Sequence, residues 1–285
     1  MKNTHLKHII ELNIAVLLVS TSGPLGKYIS MPPPVTIWFR CLLAAVILWA
    51  FCRYKKIDLK ILNKRDFSTI VLSGFLFGAH WVTYFYALFF SNVAIGMLSL
   101  FTYPVITALL EPIFFRTKLN TKHVFLGFVV LVGIYLLAPE FNLENNHTKG
   151  VLFGIISALF YAIRNILMKK KVANYHGSML MFYQMAIITL VLWPVLFLFE
   201  IHPSGNDWSA LLLLALFTTS IGHTLFVMSF KNFSVSTASI MSSVQPVYGI
   251  LMGMLFLKEI PSWNIVFGGL LIIATVVIEG LNIKR

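Results

Sequence analysis

The side chains able to do chemistry are few, and nearly all sit inside long apolar runs. His80 is followed by Trp81 and, one helical turn on, by Tyr84; a helix puts the imidazole and the phenol on one face. A histidine there can donate to a substrate carboxylate or titrate near neutral pH. It can equally be a hydrogen-bonded packing residue. His223 holds a nearly equivalent place in the second half of the chain. Arg40 and Glu111 also fall within apolar runs, where an ionisable side chain costs at least ~2.5–3.5 kcal/mol. Arg40 can bind a carboxylate or snorkel to lipid headgroups. Glu111 can take up a proton or pair with a cation, or form an ordinary interfacial ion pair with Arg116. Glu11 and Glu279 lie nearer the ends of their runs and are assigned no role.

Uncharged polar residues form stripes at helical spacing. Ser157, Tyr161, Asn165 and Met168 share one face, with Arg164 one residue off it and either facing an anionic substrate or running toward Lys169–Lys171. Ser99, Thr102 and Tyr103 form a shorter patch, and Ser236, Ser239, Ser242, Ser243 and Gln245 a third. Such stripes must face protein or water, because lipid leaves their groups unsatisfied. Small hydroxyl residues also let helices approach closely, which is the alternative reading for the serines. Pro104 and Pro246 each remove a backbone hydrogen bond in mid-run, and paired helix breaks in two halves of a membrane protein point to a binding region. Phe75, Phe77, Phe85, Tyr86 and Phe89 read mainly as lipid-facing or packing residues, with a few aromatics, which the sequence does not single out, lining the cavity. No HExxH, paired-carboxylate or phosphate-binding glycine loop occurs, so no catalytic residue, metal, cofactor or ATP hydrolysis is expected.

The elements that position these residues follow from hydropathy. The chain has 285 residues, 58% of them hydrophobic and 11% charged, with a mean hydropathy of +0.85. A soluble domain carries roughly 25% charged residues, so this chain needs a bilayer as its solvent. A crossing takes about 20 apolar residues. Candidate spans lie near 9–30, 34–53, 67–90, 93–115, 122–139, 149–169, 177–199, 208–230, 234–257 and 262–281. The expected fold is an all-α membrane protein of ten helices. The first apolar run contains Glu11, Asn13 and Gly23-Pro24 and has no cleavage signal, so it reads as a retained helix. Cys41 and Cys52 stand in one run, about 16 Å apart along a helix, too far for a disulfide.

The net charge of +12 is placed for orientation and not for nucleic acid. Seventeen Lys and Arg, including Arg53–Arg65, Arg116, Lys118, Lys122 and Lys169–Lys171, fall on one side of the ten spans. Only Lys27, Lys149 and Lys258 fall on the other. This bias puts both termini in the cytoplasm of a multi-pass cytoplasmic (inner) membrane protein.

The chain also repeats itself. At an offset of 142 residues Tyr103-Pro104-Val105 matches Gln245-Pro246-Val247 and Phe114 matches Phe256; at 144, Arg40 matches Gln184 and Trp49 matches Trp193. Each repeat, 1–140 and 149–285, holds five spans, and an odd number forces the second to insert upside down. Inverted halves that exchange conformations are the usual frame of transporters, with substrate held between them near the midplane.

Four segments resemble the ten-helix EamA branch of the drug/metabolite transporter superfamily. They are Trp38-Phe39-Arg40-Cys41-Leu42-Leu43-Ala44-Ala45, the run from Tyr103 to Pro112, the run from Ser239 through Gln245-Pro246-Val247 to Glu259, and Gly268-Gly269-Leu270-Leu271-Ile272. The resemblance covers nearly the whole chain on loose motifs. It implies export or exchange of small metabolites such as amino acids, and a central cavity lined by spans one, three, four, six, eight and nine. Where the family often has an acidic residue before the span-nine proline, this chain has Gln245, so no proton role is assigned there. The expected function is a secondary transporter working by alternating access on a small-molecule substrate in the lipid bilayer. The alternatives are a channel, which gives unsaturable flux, and a membrane-embedded enzyme. Substrate, coupling ion, direction and oligomeric state are left open at this level.

Overall fold

Long apolar runs have one way to satisfy their backbone in lipid, which is to coil on themselves. The computed structural model describes residues 2–116, 121–137 and 142–283, and among them every regular element is helical. Lys118, Lys284 and Arg285 lie outside the described residues, as do the side chains of Lys2, Lys122 and Glu279.

Among the described residues ten helical rods follow one another. They are α1 (Lys2–Ser20, resuming as Ser22–Tyr28), α2 (Pro33–Tyr54), α3 (Lys64–Phe90), α4 (Val93–Leu100, resuming as Tyr103–Phe115) and α5 (Thr121–Leu137). After them come α6 (Asn146–Lys171), α7 (Gly177–Leu192, resuming as Val195–Leu198), α8 (Gly205–Ser229), α9 (Val235–Leu257) and α10 (Trp263–Ile283). Eight of these rods are long and apolar enough to cross a membrane; α5 has 17 residues, and the apolar stretch of α10 is Trp263–Thr275.

Side-chain caps set where the rods begin. Asn63 opens α3 by accepting from Asp66 N at 2.8 Å, and Ser204 with Asp207 forms a reciprocal capping box at α8. Asn92 opens α4 and Ser234 opens α9, 142 residues apart. These two rods also break alike. Pro104 and Pro246 each take the second position of a new helical segment, where a missing N–H costs nothing. They end alike as well, on the left-handed residues Arg116 (φ 55°) and Lys258 (φ 57°), again 142 apart. One helix has been built twice.

The halves pack on each other through antiparallel pairs. Beside α2 lies α7, with Trp38 donating to Thr189 O (3.0 Å) and Tyr183 to Leu59 O (2.8 Å). Along α4 runs α9, where Val93 abuts Gly253, Met97 abuts Gly249, and Ser236 donates to Glu111. Repeat-equivalent rods that pack antiparallel run in opposite directions. Two further cross-half pairs, α1 with α8 and α3 with α6, exchange with one another under the same equivalence. At one end Lys171 pairs with Asp66, which also accepts from Tyr175 (2.7 Å). Burial, followed by the Asp66 carboxylate, raises the Tyr175 phenol above its ordinary pKa.

Candidate functional site

The site is built around one face of α3. Phe77, His80, Trp81 and Tyr84 recur at three- and four-residue spacing and are all buried. Phe77 and Trp81 touch, with ring centroids 4.0 Å apart. The His80 ring stacks on Tyr161 of α6 at 4.3 Å. Its orientation is fixed by Ser157. The Ser157 hydroxyl donates to His80 O (2.8 Å) and therefore accepts from Nδ1–H (2.8 Å), while Ser157 O, an acceptor only, stands 3.2 Å from the same nitrogen. Both contacts require the proton on Nδ1 and leave Nε2 of the neutral ring as an acceptor. His223 meets Phe77 at 5.2 Å and Trp81 at 5.3 Å edge-on, and its buried Nδ1 has no partner.

His223 closes an unusual stretch of α8. Residues Leu214–His223 form a ten-residue π-helix, in which the hydroxyls of Thr219 and Ser220 reach carbonyls five residues back, at 2.8 and 2.7 Å. Such widened turns concentrate at functional sites. This one brings Thr218 to Thr21 in the break of α1 (2.8 Å) and Thr219 to Arg40.

Two guanidinium groups flank the aromatic pair. Arg40 lies over Trp81 at 4.0 Å and donates to Thr219 (2.7 Å) and Ser22 (3.2 Å). Arg164 lies over Phe77 at 3.9 Å and donates to Gln184 (2.8 Å), Asn165 (2.9 Å) and the Met181 sulfur (3.2 Å). Both side chains are 0% exposed. Snorkelling of Arg40 to the headgroups and a run of Arg164 toward Lys169–Lys171 are thereby overturned: cation–π contact and buried acceptors draw both inward. The two halves use the same helix pair for this. Ser22 and Arg164 are repeat-equivalent, as are Arg40 and Gln184, so the guanidinium stands on α2 in one half and on α6 in the other.

Between these groups lies a central cavity of about 20 Å³, room for about one water. His80, Trp81, Tyr84 and Tyr103 line it from the first half, and Tyr161, His223 and Gln245 from the second. Val19, Ser22, Met97, Leu100 and Phe101 complete it without having been singled out in sequence. Phe77, read as one of several packing or lipid-facing aromatics, proves fully buried behind them, whereas Phe75 and Phe89 face outward.

Three other expected lining residues stand apart. Ser99 is pressed against Gly154, where an added Cβ would come within 1.9 Å of its hydroxyl, leaving no space for cargo. Asn165 is held by Arg164. Ser242 lies behind Tyr103, whose hydroxyl bonds to it. Glu111 accepts from Ser236 of α9 and lies outside the cavity lining. A larger void of about 510 Å³ between α1, α8 and α9 is walled by Leu18, Leu213, Phe217, Met252 and Phe256. Only four polar residues, Thr21, Tyr28, Asn206 and Ser209, join that lining. It lacks the converging polar groups that orient a metabolite.

The chain is similar to proteins of known class over most of its length. A solved crystal structure superposes with a TM-score of 0.73 at 19% identity, covering 98% of this chain and 99% of that one. The pseudopaline exporter CntI of Pseudomonas aeruginosa is 21% identical over 245 residues, 86% of this chain and 84% of that protein. The S-adenosylmethionine uptake transporter of Rickettsia prowazekii is 25% identical over 282 residues, 95% of this chain and 91% of that protein. An uncharacterized transporter, YxxF, of Bacillus subtilis is 26% identical over 258 residues, 87% and 81% of the two chains. The EamA-like transporter family model matches twice, over residues 7–138 and 148–279. With a doubled, all-helical membrane fold and a polar, aromatic centre between its halves, this chain belongs to the EamA-like transporter family.

Proposed function

We propose that this transporter carries a small metabolite across the cytoplasmic membrane by alternating access at the central cavity. The observation that carries this reading is convergence: His80, Tyr84 and Tyr103 of one half and Tyr161, His223 and Gln245 of the other meet around a single space. All ten rods act as crossings, in repeats spanning 1–140 and 149–285. Their inverted arrangement is supported by the antiparallel α2–α7 and α4–α9 pairs, and cytoplasmic termini by the Lys and Arg bias. A volume of about 20 Å³ corresponds to a contracted conformation, so cargo enters after the halves part on one face. The cargo is an amino acid or a metabolite of similar size, moved by export or exchange. Among the relatives, one is named an exporter and another an uptake transporter, so the fold serves either direction.

Counterflow decides the matter. Purified protein in liposomes preloaded with an amino-acid pool should accumulate labelled amino acids with saturation, and His80→Ala or Tyr84→Ala should lower that flux about tenfold at unchanged expression. Linear, unsaturable flux would make the protein a channel. Normal counterflow in both variants would remove the cavity assignment.

A further inference from the structure

We infer that the cargo bears an anionic group of carboxylate or phosphate type, and that Arg40 receives it. This rests on the cavity being the cargo site, and it names the cargo's chemistry.

The first ground is an uncompensated charge. Arg40 and Arg164 are wholly buried within the bundle, and their partners are hydroxyls, amides, a sulfur and ring faces. Every carboxylate among the described side chains is engaged or placed elsewhere. Asp66 pairs with Lys171, Asp207 holds Ser30 and Ser204, Glu259 accepts from Val93 N, and Glu111 accepts from Ser236. Glu11 pairs with Lys7 and His8 near the chain start, and Asp58, Glu144 and Glu200 are exposed. Guanidinium groups do not lose their proton in proteins. Two such charges without a counter-ion among the described residues are costly in a bilayer-embedded core, and an anionic cargo supplies the missing charge.

The second ground distinguishes the two arginines. Each nitrogen of Arg164 has a partner. Arg40 keeps Nη2 buried without one, and so does the nearby His223 with Nδ1, which meets the same Trp81 ring from its edge. Arg40 is one layer from the cavity, because both Ser22 and Trp81 line it. Its two bonds go to hydroxyls, weak partners that a carboxylate or phosphate displaces with a bidentate, charge-assisted contact. One of those hydroxyls, Thr219, stands in the π-helical stretch of α8. Arg164 is therefore a positioning residue, and Arg40 the receptor for charge.

The test is thermal unfolding of the detergent-purified full chain at fixed pH and ionic strength with matched solutes. The acids are L-alanine, lactate, succinate and glycerol 3-phosphate; their counterparts without the acidic group are L-alaninamide, lactamide, succinamide and glycerol. At least one acid should raise the Tm while its counterpart does not, and the carboxylates and the phosphate show which anion is preferred. Arg40→Gln should weaken the apparent affinity at least tenfold, and Arg40→Lys should restore part of it. If Arg40→Gln does not fold, the acid-against-counterpart comparison in the unaltered protein and the Arg40→Lys affinity stand as the readouts. Equal stabilisation by the counterparts, no stabilisation by any acid, or full affinity in Arg40→Gln overturns the inference. Saturable counterflow restricted to uncharged or cationic solutes overturns it too while leaving transport intact, whereas absence of any counterflow strikes the transport reading itself.

Discussion

Ser157 shows how much one hydroxyl decides at this site. It donates a hydrogen bond to the His80 carbonyl and accepts one from His80 Nδ1–H, so the imidazole stacks on Tyr161 with Nε2 as its acceptor nitrogen. Ser157→Ala removes both bonds in a fully buried place, and a net hydrogen bond contributes about 0.5–1.5 kcal/mol. The variant should unfold at a lower Tm, by about 1–2 kcal/mol, and bind cargo less tightly because the ring can turn. Differential scanning fluorimetry and counterflow KM check the two effects separately. The polar stripe Ser157, Tyr161, Asn165 was legible from spacing, and all three residues are buried against protein. Which of them touches the cavity was not, since one helical face is wide enough to serve both a cavity and a neighbouring helix.

At the scale of elements, equivalence between halves extends to how the helix ends are closed. Lys27 donates to the carbonyls of Leu88 and Ser91, both at 2.7 Å, and closes the end of α3. Lys169 does the same for α8 through Phe230 (2.6 Å) and Phe233 (2.9 Å). All three positions are shifted by 142. The orphan carbonyls of a helix end favour a cation, so Lys27→Met and Lys169→Met should each cost about 1–2 kcal/mol and by similar amounts, measured as Tm. Lys258→Gly should do the opposite. Its left-handed backbone strains any residue with a Cβ, and glycine there gains about 1 kcal/mol. The α4–α6 contact tolerates no added atom. Gly154→Ala would set a methyl within 2.6 Å of Ser99 Cβ, and overpacking of this kind costs about 1–3 kcal/mol. Loss of monodisperse protein, or a lowered Tm, is the expected readout.

For the whole molecule, the prediction is topological. Cys41 and Cys52 are both buried, so background labelling is low. Asp58→Cys and Asn174→Cys should react with a membrane-impermeant thiol reagent from the cytoplasmic face only. Glu144→Cys and Asn206→Cys, all four sites being exposed, should react from the opposite face only. Labelling of residues 58 and 144 from the same side would contradict the inverted arrangement. The contracted centre has a consequence at this scale as well. A cavity near the volume of one water cannot hold cargo until α1, α3, α4, α6, α8 and α9 shift, so cargo should change the reactivity of thiols placed along their cavity faces.

The sequence alone determined the solvent, the rods and the doubling. Length and hydropathy of a run are local properties that the bilayer selects directly, and a repeat is visible wherever Pro104 and Pro246 recur in matching contexts. Tertiary structure decided which side of each rod looks inward. Ser22 and Thr219 stand in short hydroxyl clusters, Ser20–Ser22 and Thr218–Ser220, that do not say which member turns to the centre, and Met97 is one apolar residue among many, although equivalence with Arg164 could have pointed to Ser22. The inward turn of Arg40 and Arg164, and the diversion of Ser99 into a helix contact, follow from neighbours far away in the chain. Burial and pairing of that kind are set by packing between halves, which no local pattern encodes.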